Sequence, residues 1–304
     1  MKKYLLLTIM VCCFGSTLAQ HKKVVRNTNK ESTAEELYFK AYDYLQGENG
    51  LPIDTVKAKE LFVKSAEMGY APAQYETYVI YFSEEKHTIA LEWLMKAADN
   101  GYLQAYTRLF RIYQRGYGVN KDLVQANKWL RKGAESGDAE CQWLLGYEYY
   151  NGVNGLGIKE DGSQAKFWLE KAVAQNHDAA MVILADIFSE GVIVKRDKQK
   201  ANDLYRRAAE MNNYPEAAYK LATAYGFGDG VEMDKEAAFK WMKKAAELGY
   251  STAQLDLGYF FATGYGCKKD ENAAGYWWRQ VLKNKDATED ERVGAQKNIE
   301  LLDE

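Results

Sequence analysis

The chain has 304 residues, 47% of them hydrophobic, with 24 Gly, only 3 Pro and a formal net charge of −3. Scarce Pro and ample apolar residues describe an ordered, mostly helical chain and exclude a disordered one. The mildly acidic balance lacks the strongly positive face that phosphate-backbone recognition requires, so a nucleic-acid partner is not expected.

The first element is a targeting segment. Lys2 and Lys3 precede a short apolar run, Tyr4 to Phe14, and the small residues Thr17 and Ala19 follow it. This layout predicts a secretory signal over 1–19, cleaved before Gln20. The run is too short to cross a bilayer, and no later apolar run is long enough to do so. The expected destination is therefore the periplasm or the outside. Residues 20–32 are polar and basic and are expected to form a flexible leader. Cys12 and Cys13 leave with the signal, and Cys141 and Cys267 remain, too far apart in the repeat pattern for a disulfide to be expected.

From residue 33 to 285 the chain repeats with a period of about 36 residues. One column reads Leu61, Trp93, Trp129, Trp168, Leu204, Trp241, Trp277. Three positions earlier every copy has Ala, from Ala58 to Ala274, and a basic residue with small neighbours follows, as in Lys96-Ala97-Ala98 and Lys244-Ala245-Ala246. Spacing of i, i+3 and i+7 makes these one stripe of a helix, with the tryptophans expected in the core. The helix is expected to end at a Gly or Asn column, Gly69, Gly101, Gly137, Asn176, Asn212 and Gly249, because those residues tolerate the left-handed conformation.

A helix precedes this one in each repeat. Its columns are Leu109, Leu145, Leu184, Leu221 and Leu257, then mostly a small residue such as Gly146, Ala185, Ala222 or Gly258, then an aromatic from Tyr44 to Phe261. In two repeats the small column holds Tyr78 and Phe110 instead. Gly-rich turns such as Gly116-Tyr117-Gly118 and Gly264-Tyr265-Gly266 join the two helices. Asp122, Asp161, Asp197, Asp234 and Asp270 then stand where a side chain caps the second helix. The turn of the second repeat is four residues shorter than that of the third, and that of the fourth is three longer. A tail over 286–304 opens with Thr288 and Glu291 in capping-box spacing; Val293, Ile299 and Leu302 are expected to cover the last repeat, with Asp290, Glu291 and Arg292 facing water.

These residues resemble the Sel1-like repeat family, a relative of the tetratricopeptide repeats. The match is most specific from Leu221 to Val231 and on through Lys244-Ala245-Ala246-Glu247-Leu248-Gly249. The resemblance implies an all-α fold, an α/α superhelical solenoid of about seven helix-turn-helix repeats, closed by the C-terminal capping helix. It also implies an adaptor role and a concave groove lined by the first helices. Counted from the Gly or Asn column, positions six and ten share one face of the first helix. They read Tyr75 and Val79, Thr107 and Arg111, Trp143 and Tyr147, Val182 and Asp186, Tyr219 and Thr223, Leu255 and Tyr259, with Tyr38 and Tyr42 in the first repeat and Tyr150 one turn further on. The candidate partner groove is thus Tyr38, Tyr42, Tyr75, Arg111, Trp143, Tyr147, Tyr150, Tyr219 and Tyr259. The same side chains could instead pack between neighbouring first helices.

The residues for catalysis are few. His21, His87 and His177 show no metal-ligand spacing, and no cofactor is expected. Ser163-Gln164-Ala165-Lys166 matches the Ser-x-x-Lys of penicillin-recognising enzymes, but Ala165 already belongs to the repeat's Ala column and no companion motif accompanies it. The sequence therefore points to a binding scaffold for a protein or peptide and not to an enzyme. A binder of cell-wall peptide or glycan with weak hydrolase activity is the alternative, because aromatic rings stack on sugars too.

Overall fold

The aspartate column sets the frame of the fold. The computed structural model describes residues 32–152, 155–211 and 213–303. In it Asp54, Asp122, Asp161, Asp197, Asp234 and Asp270 each stand one position before a helix. Each carboxylate accepts from backbone N–H groups of that helix's first turn. Each of these residues also donates its own N–H, at 2.8–3.0 Å, to the carbonyl of an aromatic-column residue: Tyr44, Tyr113, Tyr149, Phe188, Tyr225 and Phe261. One residue thus closes the turn and opens the helix, satisfying amides that have no partner within it. Asp122→Ala is expected to cost about 1 kcal/mol, read as a lower urea midpoint at unchanged slope. An unchanged midpoint would remove the carboxylate from this account.

The helices pair as α1 (Ala34–Gln46) with α2 (Thr55–Glu67), α3 (Ala71–Ser83) with α4 (His87–Asp99), and α5 (Leu103–Arg115) with α6 (Leu123–Glu135). They continue as α7 (Ala139–Asn151) with α8 (Gly162–Ala174), α9 (Asp178–Glu190) with α10 (Lys198–Met211), α11 (Pro215–Phe227) with α12 (Lys235–Glu247), and α13 (Ser251–Thr263) with α14 (Glu271–Lys283). The cap α15 (Glu289–Asp303) follows, and no strand occurs among the described residues. The architecture is an all-α solenoid of helix-turn-helix repeats. The segment read as an export signal, and all but the last residue of the leader, lie outside the described residues.

Contacts divide the chain into a unit ending at Ala73 and one beginning at Gln74. In the first, Ala41 and Ala58 are buried where α1 meets α2, and the rings of Tyr38, Tyr42, Phe62 and Tyr70 meet edge to face. In the second, the Leu and Ala columns are buried in every repeat. Gly146 and Gly258 lie hard against Leu169 and the Trp278 ring, so each lacks room for a side chain. Tyr78 and Phe110 occupy that column and are buried too. The insertion in the fourth turn is not idle length: Leu156 and Ile158 reach from it into the core.

Three expectations need correction. The residue just after the Trp column is the more deeply buried one: Phe62, Leu94, Leu130, Leu169, Tyr205, Met242 and Trp278 are core, whereas Trp93, Trp241 and Trp277 are half-buried. Trp129 and Trp168 are buried as expected. Lys96, Lys132, Lys171 and Lys244 place their ammonium groups 4.1–5.5 Å from the rings of Trp93, Trp129, Trp168 and Trp241. Helix α10 runs one residue longer than the other second helices and Asn213 after it is left-handed, while the Asn212 expectation lies outside the described residues. In the cap, Val293 is 58% exposed, while Ala295, Ile299 and Leu302 pack on the last repeat. Arg292 does not face water: its guanidinium donates to the carbonyls of Leu282, Asn284 and Ala287, ending α14. Thr288 and Glu291 form the expected capping box.

The turns carry a second function. From the third repeat to the seventh, the turn packs on the start of the preceding repeat's second helix, as where Gly118 lies against His87. Asn127 donates to the carbonyl of Leu156, Ile193 fills the space over Gly162, and Asn202 donates to the carbonyl of Asp229 while Lys198 pairs with that carboxylate. Tyr265 donates to Gly226, and Gly266 sits against the Lys235 carbonyl.

Candidate partner-binding face

In the second unit α5 lies beside α7 and α7 beside α9, and the face of the first helices is built from positions six and ten together with their i±3 neighbours. Most of the rings there are engaged with the next repeat. In the first unit Tyr38 and Tyr42 belong to the cluster with Phe62, and Tyr38 also meets Tyr70. The Tyr75 ring lies 5.0 Å from that of Tyr102. Trp143 stacks on His177 at 5.1 Å with the planes 22° apart. The hydroxyl of Tyr150 donates to Glu190 at 3.0 Å, and that of Tyr219 donates to Asp256 at 3.1 Å with its ring against Tyr250. These side chains link repeats. Two others differ: Tyr147 is 38% exposed and Tyr259 is 42% exposed, each resting one edge on an inner ring, Trp143 and Trp278.

Charged groups share this face. Arg111 donates to Glu140 at 2.7 Å, and the other Glu140 oxygen meets His177 Nε2 at 3.1 Å. His177 Nδ1 accepts from the Ala180 amide, so this imidazole caps α9, and in its neutral form the proton lies on Nε2, toward Glu140. The His177 hydrogen bond holds the Glu140 carboxyl below the ordinary carboxylate range against the opposing effect of burial, with Arg111 assisting. A carboxylate with a depressed folded-state pKa stabilises the fold above its unfolded value, and that stability is lost as pH falls through the folded value. Glu140→Gln is therefore expected to be less stable than wild type at pH 7, with the gap shrinking below pH about 4.5. Urea unfolding between pH 3.5 and 7 measures it, and a gap independent of pH would contradict the assignment.

Further along, Lys220 reaches Asp186 at 3.0 Å, Tyr205 donates to the same carboxylate, and Thr252 donates to Glu291 at 2.6 Å. No spacing rule had singled out Glu140, His177, Glu216 or Asp256. Glu140 and Glu216 sit three residues before Trp143 and Tyr219, Asp256 one after Leu255, and His177 directly after Asn176.

Asp161 caps α8 and Ser163 donates to it from the first turn, while Lys166 pairs with Glu170 at 2.8 Å. His87 opens α4 and does not lie in a loop. Cys141 and Cys267 are both free, and burial pushes each thiol up, away from the reactive thiolate. Among the described residues no group of His, Cys, Asp and Glu could hold a metal ion, and no helix is long and apolar enough to cross a membrane.

Comparison with known proteins places these columns. The Sel1 repeat model matches residues 37–70, 84–102, 103–138, 139–177, 178–213, 215–250 and 251–281. Chitin synthase regulator SKT5 of Saccharomyces cerevisiae is 24% identical over 323 residues, 89% of this chain and 44% of its own length. The Sel1-repeat-containing protein YjcO of Escherichia coli is 28% identical over 197 residues, 63% of this chain and 84% of its own. The chain thus spans under half of the yeast regulator. Among solved structures, c5321, described as a protective antigen of uropathogenic Escherichia coli, superposes with a TM-score of 0.74 at 28% identity, covering 89% of this chain and 62% of that one. A Sel1 repeat protein of Oxalobacter formigenes gives 0.70 at 25% identity, covering 89% and 77%. Sel1-repeat proteins generally mediate protein–protein interaction. With seven matched repeats that take in the Ala, Trp and Asp columns, the chain belongs to the Sel1 repeat family.

Proposed function

We propose that this chain is an exported scaffold that holds a protein or peptide partner on the face of its first helices. The observation that carries the reading is the split among the rings: most are spent on joining repeats, while Tyr147 and Tyr259 stay exposed on rigid helices. Tyrosine offers a large amphipathic contact area with few rotors, which suits a binding hot spot. The family's general role supports the reading, as does a curated relative named for regulating an enzyme. Export rests on Lys2, Lys3, the apolar run Tyr4 to Phe14 and Ala19.

The test is affinity capture from the native envelope extract with wild type and with a Tyr147→Ala, Tyr259→Ala double variant, after circular dichroism shows that both fold alike. A protein retained by wild type and lost by the variant is the expected result. Equal retention would move binding to the turns or to the second helices. Retention of cell-wall fragments with no protein would replace the reading with recognition of cell-wall peptide or glycan.

A further inference from the structure

The first-helix face changes sign along the second unit. Helix α5 presents Arg108, Arg111 and Arg115. From α9 to α15 the same face carries Asp186, Glu190, Glu216, Asp256 and Glu291, with Lys220 among them. These acids are held in place chiefly by neutral donors: Tyr205 on Asp186, Tyr150 on Glu190, Tyr219 on Asp256 and Thr252 on Glu291. A hydroxyl satisfies a lone pair but leaves the negative charge uncompensated. The neighbours register that field. Burial pushes the Glu216 and Asp256 carboxyls up, Asp186 and Glu291 respectively push them further, and Lys220 offsets only the first. The Tyr150 phenol is pushed up to about 12 by burial and by Glu190. The exposed Tyr259 ring lies on this stretch, and Tyr147 stands at its edge.

We propose that the face formed by α9, α11 and α13, with Glu291 at its end, receives an extended cationic segment whose Lys or Arg side chains recur about every third residue. This rests on the partner-binding reading above and adds the chemistry of the partner. Three physical points carry it. Carboxylates fixed by hydroxyls and short of cations gain charge-assisted hydrogen bonds when a cation arrives, and they lose by approach of an anion. Exposed tyrosine rings beside them attract ammonium and guanidinium groups through the ring face. Spacing sets the period. Packed neighbouring helices lie about 8–10 Å apart, and an extended chain in the polyproline II conformation advances about 3.1 Å per residue and presents the same side at every third one. A chain crossing the helices therefore meets a new acidic step about every three residues.

The test uses a fluorescently labelled twelve-residue peptide with Lys at every third position and Ser between. Its two controls carry Glu in place of Lys, or the same lysines gathered in one block. Anisotropy is read with the full chain at low ionic strength. The spaced Lys peptide is expected to bind, at least tenfold more tightly than either control, and to weaken as salt is added. A Glu216→Gln, Asp256→Asn variant keeps the shapes and hydrogen-bond acceptors and is expected to lose at least tenfold in affinity, while Lys243→Gln on the exposed side of a second helix retains it. The salt titration needs only wild type, so it decides even if the double variant fails to fold. No binding by wild type, or binding that salt leaves unchanged, overturns the proposal; equal binding of the block peptide overturns the spacing. If self-association appears in sedimentation and is lost in the double variant, the face belongs to a second copy and the proposal falls. If peptide binding fails while envelope capture still depends on Tyr147 and Tyr259, the partner is not cationic but the scaffold reading stands. The opposite pattern keeps the acidic site and removes the exposed tyrosines from the scaffold reading.

Discussion

Trp278→Ala is expected to lower stability by about 3–5 kcal/mol. The ring is 3% exposed, it fills the space left by Gly258, and its Nε1 donates to the Leu255 carbonyl at 3.1 Å. Truncation therefore opens a cavity between α13 and α14 and removes the indole donor that the Leu255 carbonyl holds beyond its helical one. Trp277 is the informative control. It holds the Trp column yet is only half-buried, so Trp277→Ala is expected to cost about 1 kcal/mol, the ordinary scale of a point mutation. Repeats in a solenoid touch only their neighbours, so the loss is expected to be local first. Hydrogen exchange checks this: protection is expected to fall in α13 to α15 of Trp278→Ala and to persist in α5 to α9. Equal costs for the two tryptophans would overturn the assignment of the deeper column as core.

Gly266→Ala is expected to be the most damaging change in a turn. The residue sits at φ +66°, and a Cβ there would fall on the Lys235 carbonyl oxygen, which belongs to the first turn of a helix and cannot swing aside. Backbone strain of about 1–3 kcal/mol is joined by overpacking of about 1–3 kcal/mol. Gly249→Ala separates the two effects. Its φ is +90°, but open space surrounds the position, so only the strain remains. Thermal unfolding is expected to show the Gly266 variant several degrees below the Gly249 variant, and a reversed order would refute the steric account.

Much of the fold was legible because the repeat multiplies each signal. One Asp before a helix is weak evidence; five at the same phase are not, and the structure adds Asp54 as a sixth. The Leu and Ala columns are buried as their spacing implied. What failed to show in the sequence was decided by partners at long range. Trp93 and Trp277 have the same spacing as Trp129, yet of the three Trp129 alone is buried. The face of the first helices was legible as a face, but its division into rings that join repeats and rings that stay exposed depends on pairs such as Trp143 with His177, separated by a full repeat. Glu216 and Asp256 were missed because their environment comes from Asp186, Tyr219 and Glu291, on other helices. Periodicity reports on which side a residue lies; it carries nothing about the charge that meets it there.

The seating of the later turns on the helix of the preceding repeat has a consequence for how such a chain changes over time. Asp229 serves Lys198 and Asn202, Gly266 serves Lys235, and Ile193 serves Gly162. These are different matings of bulk, charge and void, so the copies are alike in outline but not interchangeable. Exchanging two repeats, or deleting one, would keep the period while setting a bulky turn against a helix start that has no recess for it. The order of the copies is thereby written into pairs of residues one repeat apart, and a duplication can persist only where the new junction happens to match or both of its sides change together.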